Sequence, residues 1–137
     1  MKLSIKIIII LFVTNILLSC VMQKTAQQPT DLYRKWQLIE VRNADTKTAT
    51  NYKSKKLFAT FYKDGKMEFN LDVNSCSGRF KEGESQTLTF NATDFVCTQA
   101  CCDTIRLNYH EVKKYEIAKK TLKLYSDKEL FIFELAQ

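Results

Sequence analysis

MEFNLDVNSCSGRF (residues 67–80), KEGESQTLTFNATDF (81–95) and VCTQACCD (96–103) form the stretch on which the fold turns. In its first part Met67, Phe69, Leu71 and Val73 alternate with Glu68, Asn70 and Asp72. That period of two belongs to a strand with one buried face. A turn is expected over Asn74 to Gly78, then a short strand from Arg79 to Lys81, closed by Glu82 to Ser85. Thr87 to Phe90 reads as the next strand, and Thr93 and Cys97 lead into a cysteine-rich helix start. Cys76, Cys97, Cys101 and Cys102, four of the five cysteines, lie in this window.

Working outward, Trp36 to Val41 is a strand candidate with mixed alternation, and the polar residues 42–55 read as a loop. Leu57 to Tyr62 is a second strand, joined to the Met67 strand through Lys63, Asp64, Gly65 and Lys66. Asp-Gly tolerates the positive φ angles of a hairpin turn. Downstream, Cys101, Ile105, Tyr109 and Val112 fall at the spacing of one helical stripe, with Asp103 favourable near its start. A closing meander follows: Tyr115 to Ala118, Thr121 to Tyr125 and Leu130 to Leu135, with turns at Lys119-Lys120 and Ser126 to Lys128. The expected fold is α+β, a curled antiparallel sheet or partly open β-barrel of about seven or eight short strands packed around one α-helix.

The 137 residues, 45% of them hydrophobic, suffice for one core, and only 3 glycines and 1 proline exclude a low-complexity chain. Net charge is +6, and two of the lysines, Lys2 and Lys6, sit in the leader. The remaining excess is scattered in short clusters such as Lys53 to Lys56, without the dense basic stripe interleaved with aromatics that nucleic acid requires. No nucleic-acid partner is expected.

The chain opens with a basic n-region and an apolar run from Ile7 to Leu18, which is shorter than the ~20 residues a spanning helix needs. It has the form of a signal peptide, residues 1–19. Leu17, Leu18 and Ser19 before Cys20 resemble the bacterial lipobox. That resemblance implies a diacylglyceryl group on Cys20, cleavage before it, and a membrane anchor of two or three acyl chains. Val21 stands where an aspartate would signal inner-membrane retention, so lipoprotein sorting implies the outer membrane, on its periplasmic face or at the cell surface. Residues 20–31 are then a lipidated, polar tether, and 32–137 the domain.

Trp36 and Leu38, Asn74 and Gly78, Thr93 and Cys97, then Leu122 and Leu124 recur in an order and spacing that resembles the META domain family, with its heat-inducible lipoproteins of the HslJ type. The likeness spans residues 32–136. It implies an envelope protein without established catalytic residues, linked to envelope stress, drug tolerance and secretion, with an unidentified envelope protein as partner. One departure matters. Family members carry the turn cysteine directly before the asparagine, where this chain has Val73; here it is Cys76, and Cys101-Cys102 has no counterpart.

Chemistry-bearing residues support no catalytic constellation. Cys97-x₃-Cys101-Cys102 with Cys76 is a poor spacing for zinc, which favours two C-x₂₋₄-C knuckles, and an exported chain meets an oxidising compartment. Neither a metal nor another cofactor is expected. A bond between the adjacent Cys101 and Cys102 would be strained, so Cys76 is expected to pair with Cys97, Cys101 or Cys102. His110 lies off the apolar stripe and reads as solvated, and Asp64, Glu68, Asp94 and Asp103 form no acid–base pair. Two functions remain: a non-enzymatic interaction or stress-protective lipoprotein, and a lipocalin-like carrier of a small apolar ligand. The carrier would ordinarily show a Gly-x-Trp signature, whereas Lys35 precedes Trp36 here and no glycine is nearby.

Overall fold

The protein is described by a computed structural model over residues 31–100, 103 and 105–137. The expected signal peptide, Cys20 and most of the expected tether, together with Cys101 and Cys102, lie outside the described residues. The strands are β1 (Lys35–Asn43), β2 (Ala49–Asn51), β3 (Phe58–Phe61), β4 (Lys66–Asn70) and β5 (Ser75–Glu82). Next come β6 (Leu88–Phe90), β7 (Val96–Cys97), β8 (Lys114–Ala118), β9 (Thr121–Tyr125) and β10 (Glu129–Leu135). Eight of them form one antiparallel order, β6-β5-β4-β3-β1-β10-β9-β8, with β2 added to β1 and β7 to β5. The two ends of that order meet at Thr87 and Lys114, where the Leu88 amide donates to the Lys113 carbonyl at 2.9 Å. The sheet is thus a nearly closed barrel, which removes most of its exposed edge.

The mixed pattern of the first strand has a definite cause. Leu38 pairs with Phe133 and Glu40 with Ile132, so Ile39 is an extra residue in β1. Such a bulge shifts the inward phase by one, which is why Trp36, Leu38 and Val41 all face the core. It also bends the strand. Before the bulge β1 pairs with β3, and after it with β2. Opposite the fully buried Trp36 stands Ala59, a small partner for a large one, and the indole Nε1 donates to the Leu32 carbonyl at 2.9 Å.

The Lys63–Gly65 hairpin forms as the sequence implies. Gly65 has φ +79°, and a Cβ there would come 2.9 Å from the Phe80 carbonyl oxygen, so both conformation and space demand glycine. Other boundaries differ. The expected turn at Asn74 to Gly78 is Leu71 to Asn74 instead, and Ser75 already begins β5, with Cys76, Gly78 and Phe80 on its inner face. The presumed loop at 42–55 contains β2, and Val96–Cys97 adds β7.

The expected α-helix is not supported: among the described residues there is none. Past Asp103 the chain runs as an irregular strap with a single 3-10 turn, Tyr109–Glu111. Ile105, Tyr109 and Val112 are nonetheless buried. Their spacing reports contact with the barrel mouth, which an extended strap can also satisfy, so apolar recurrence without helical hydrogen bonding misled the period reading.

The seam where the barrel closes is held by one carboxylate. Glu82, at the end of β5, accepts hydrogen bonds from the hydroxyls of Tyr33, ahead of β1, and Tyr115, on β8. Burial, then that carboxylate, pushes the Tyr115 phenol up, so it stays a donor. The adjoining β5–β6 hairpin turns through Ser85 (φ 55°) and Gln86 (φ 60°), both left-handed and neither a glycine. Such a turn prefers Asn-Gly. Gln86→Gly is therefore expected to raise stability by about 1 kcal/mol, read as a higher urea midpoint at constant slope.

Candidate functional site

The site grows from the turn between β4 and β5. Asn74 is a buried polar residue on this turn, and every polar group it carries is engaged. Its side-chain amide donates to the Ala100 carbonyl at 2.8 Å and to an Asp103 carboxylate oxygen. Its side-chain oxygen accepts from the Thr98 hydroxyl at 2.9 Å and the Ala100 amide at 2.8 Å. Its own backbone amide, with that of Val73, donates to Asp103 Oδ1 at 3.1 and 2.9 Å. The Asn74 carbonyl accepts from the Leu71 amide at 2.7 Å, closing the turn. One asparagine thereby clasps the start of the strap to the β4–β5 turn.

Two residues further on a covalent bond does the same work. Cys76 and Cys97 are direct register partners between β5 and β7, with Cα atoms 4.0 Å apart, and are joined as a disulfide. Cys76 is buried and Cys97 exposed. Beside them the Ser75 amide donates to the Thr98 hydroxyl at 3.1 Å, and the Thr98 amide to the Ser75 carbonyl at 3.0 Å.

Gly78 completes the arrangement. A Cβ at this position would lie 2.6 Å from the Phe95 ring, so glycine on β5 leaves room for that ring to lie across the strand. Phe95 belongs to a run of rings. Phe61, Phe80, Phe90, Phe95, Phe69 and Tyr109 follow one another at 4.4 to 6.2 Å between centroids. Tyr109 in turn lies 5.3 Å from Phe131 and 6.3 Å from Phe133. The strap thus drives an aromatic plug into the barrel mouth, and burial pushes the Tyr109 phenol up from its ordinary value.

Two clefts share the disulfide as a wall. One, of about 590 Å³, lies under the strap between Leu71, Phe95, Asp103 and Arg106. The other, of about 650 Å³, is on the outer face of β3, β4 and β5, where Phe58, Thr60, Asn70 and Ser77 meet exposed Val96. Lys35 caps the Phe58 ring at 4.2 Å. Among the described residues no group of three or more His, Cys, Asp or Glu side chains could hold a metal ion.

Of the residues singled out in sequence, Asn74, Cys76, Gly78 and Cys97 come together here. Trp36 lies apart on β1, fully buried opposite Ala59, and Thr93 is exposed in a 3-10 turn, bonded to Asn91. His110 is exposed on the strap. Asp103 and Thr98 were missed as members of the site. Asp103 reads in sequence as a residue near a helix start, and nothing local ties it to Asn74 across 29 positions.

No family model matches the chain, and the search of curated proteins found no match. Two solved structures are similar in fold. One is the crystal structure of a DUF4847 family protein from Bacteroides vulgatus ATCC 8482, with a TM-score of 0.52 and 14% identity over 75% of this chain and 92% of that one. The other is the NMR structure of a protein from Burkholderia xenovorans, with a TM-score of 0.60 and 16% identity over 77% and 83% of the two chains. At such identities the likeness concerns the fold alone.

Removing the disulfide by Cys76→Ser should cost about 3 kcal/mol in a loop of this length. Asp103→Ala strands two turn amides and an asparagine donor and should cost about 1–3 kcal/mol. His110→Ala should leave the unfolding midpoint unchanged. Chemical denaturation of the three variants side by side checks all of this.

Proposed function

We propose that this chain is an outer-membrane-anchored envelope lipoprotein of the META/HslJ type, acting without catalysis as an interaction or stress-protective module. The observation that carries the reading is the Leu17-Leu18-Ser19-Cys20 sequence behind a basic and apolar leader. The disulfide agrees with it, because such bonds persist in oxidising compartments outside the cytosol. So does the polar stretch after Cys20, which gives a short tether to the domain that begins near Leu32. The partner is an envelope protein met at the clefts beside the disulfide, where β7 and the residue after it present Val96 and Thr98 to solvent.

A second reading, a carrier of a small apolar ligand, has one observation in its favour: the eight-strand meander order, shared by barrels that enclose ligands. Against it stands the ring of Tyr109, 4.4 Å from that of Phe69, in the space a ligand would use. A fluorescent apolar probe that bound stoichiometrically, and was displaced on Tyr109→Trp, would favour the carrier.

The anchor is tested by metabolic labelling with a fatty-acid probe. The wild-type chain is expected to label and to fractionate with the outer membrane, whereas Cys20→Ala accumulates as an unlabelled precursor. A Cys20→Ala protein that still labels overturns the assignment. Cross-linking in the native envelope through a photoreactive residue at Val96 then identifies the partner.

A further inference from the structure

The seam of the barrel is paired at one point only. β8 pairs with β9 along its length, and its other edge meets β6 through the bridge between Thr87 and Lys114. Ala118 and Thr121 flank a two-residue turn, so residues 114, 116 and 118 exchange backbone bonds with β9, and 115 and 117 direct theirs to the other edge. The Lys113 carbonyl has that same phase, and it accepts the Leu88 amide at 2.9 Å. The bridge is antiparallel, so β6 runs on from it towards Lys113 and away from Ile117. Among the described residues no strand therefore pairs with the outward amide and carbonyl of Ile117.

The charges around this edge are mostly of one sign. With its flanks, β8 reads Lys113-Lys114-Tyr115-Glu116-Ile117-Ala118-Lys119-Lys120. Lys113 is held by Asp127, and Glu116 accepts the Tyr125 hydroxyl at 2.7 Å. Lys114, Lys119 and Lys120 are exposed, and none of them has an ion-pair partner among the described residues. Lysines on an edge strand guard it against pairing with its own kind. A second copy paired antiparallel about Ile117 would set Lys114 against Lys120, and paired about Glu116 would set that carboxylate against itself. Like charges directly opposite destabilise a strand pair.

We propose that the open edge of β8 is a docking site for an extended segment of another protein, apolar at its centre and acidic at its ends. The segment adds as a strand, with the main chain of Ile117 as its anchor. Residues opposite Tyr115 and Ile117 fall on the inner face, where Tyr115 is buried and Ile117 half-buried against the core, so that side favours apolar groups. Residues opposite Lys114 and Ala118 fall on the outer face, close in sequence to Lys119 and Lys120, so that side favours carboxylates. Charge thus admits the acidic partner and rejects a second copy of the chain. None of these residues lines the clefts beside the disulfide, so this surface is separate from them and its use does not rest on the lipid anchor.

The probe is a capped peptide, Glu-Val-Thr-Val-Glu, whose threonine falls opposite Glu116 in antiparallel register; its basic twin is Lys-Val-Thr-Val-Lys. Each is titrated into the folded, isotope-labelled protein and followed by NMR. Before addition the Ile117 amide should exchange rapidly with solvent. The acidic peptide should shift the amides of residues 115–119, protect that of Ile117, and bind roughly tenfold tighter than the basic one. In the double variant Lys114→Glu, Lys120→Glu, changed only at exposed positions, the preference should invert. Ile117→Pro removes the outward donor without touching the β9 ladder and should abolish the shifts; the charge-reversed variant decides alone if the proline variant does not fold. The site is overturned if the Ile117 amide is already protected without peptide, if both peptides bind alike, or if neither binds at millimolar concentration. Shifts that map away from β8 refute it too, as does protection that grows with protein concentration alone, which would report a dimer of this chain.

Discussion

The hydrogen bonds that radiate from Asn74 are the constraint on which the upper half of this barrel depends. A turn between two strands ordinarily exposes its amides to water, and here they are satisfied by a carboxylate that arrives from the strap. The strap therefore cannot leave without stranding buried polar groups, and the turn cannot relax without losing the strap. The disulfide adds a covalent tie two residues away, and glycine at 78 lets Phe95 come down beside it. Polar, covalent and packing terms converge on one corner, and this corner fixes how far Tyr109 reaches into the mouth.

The lower half follows a different logic. Barrel closure needs strands that are distant in the chain to meet, and β6 and β8 do so over a single bridge. Glu82 compensates with two phenolic donors, one from the segment ahead of β1 and one from β8. Hydrogen bonds to a charged acceptor are stronger than neutral ones, which suits a place where little backbone pairing is available. The left-handed Ser85 and Gln86 sit in the same hairpin, so the tight turn that brings β6 back to the seam carries a conformational cost.

The strands were mostly legible in the sequence. Leu122 and Leu124, and Met67 and Phe69, alternate with polar residues and are buried as that period requires, whereas in β10 Ile132 is buried between Phe131 and Phe133. The bulge at Ile39 was visible only as an imperfect pattern, since one extra residue disturbs the period without announcing its cause. A two-residue strand such as β7 carries no period at all. The helix was misread because Ile105, Tyr109 and Val112 recur at helical spacing while burying against a barrel mouth. In the site, cysteine usage pointed to a bond at Cys76, but Asp103 was invisible: its role is to accept amides from a turn far back in the chain, and such pairings leave no local mark.

The position of β1 has a mechanical consequence. A pull transmitted along β1 acts on a strand that lies inside the sheet between β10 and β3. Its ladders with both neighbours are then loaded in shear, and the cross-strand bonds from Trp36 to Asn43 share the force instead of parting one after another. The same pull on an edge strand, across its axis, would peel the sheet open. A sheet loaded through this strand keeps its shape under tension better than one loaded at its edge.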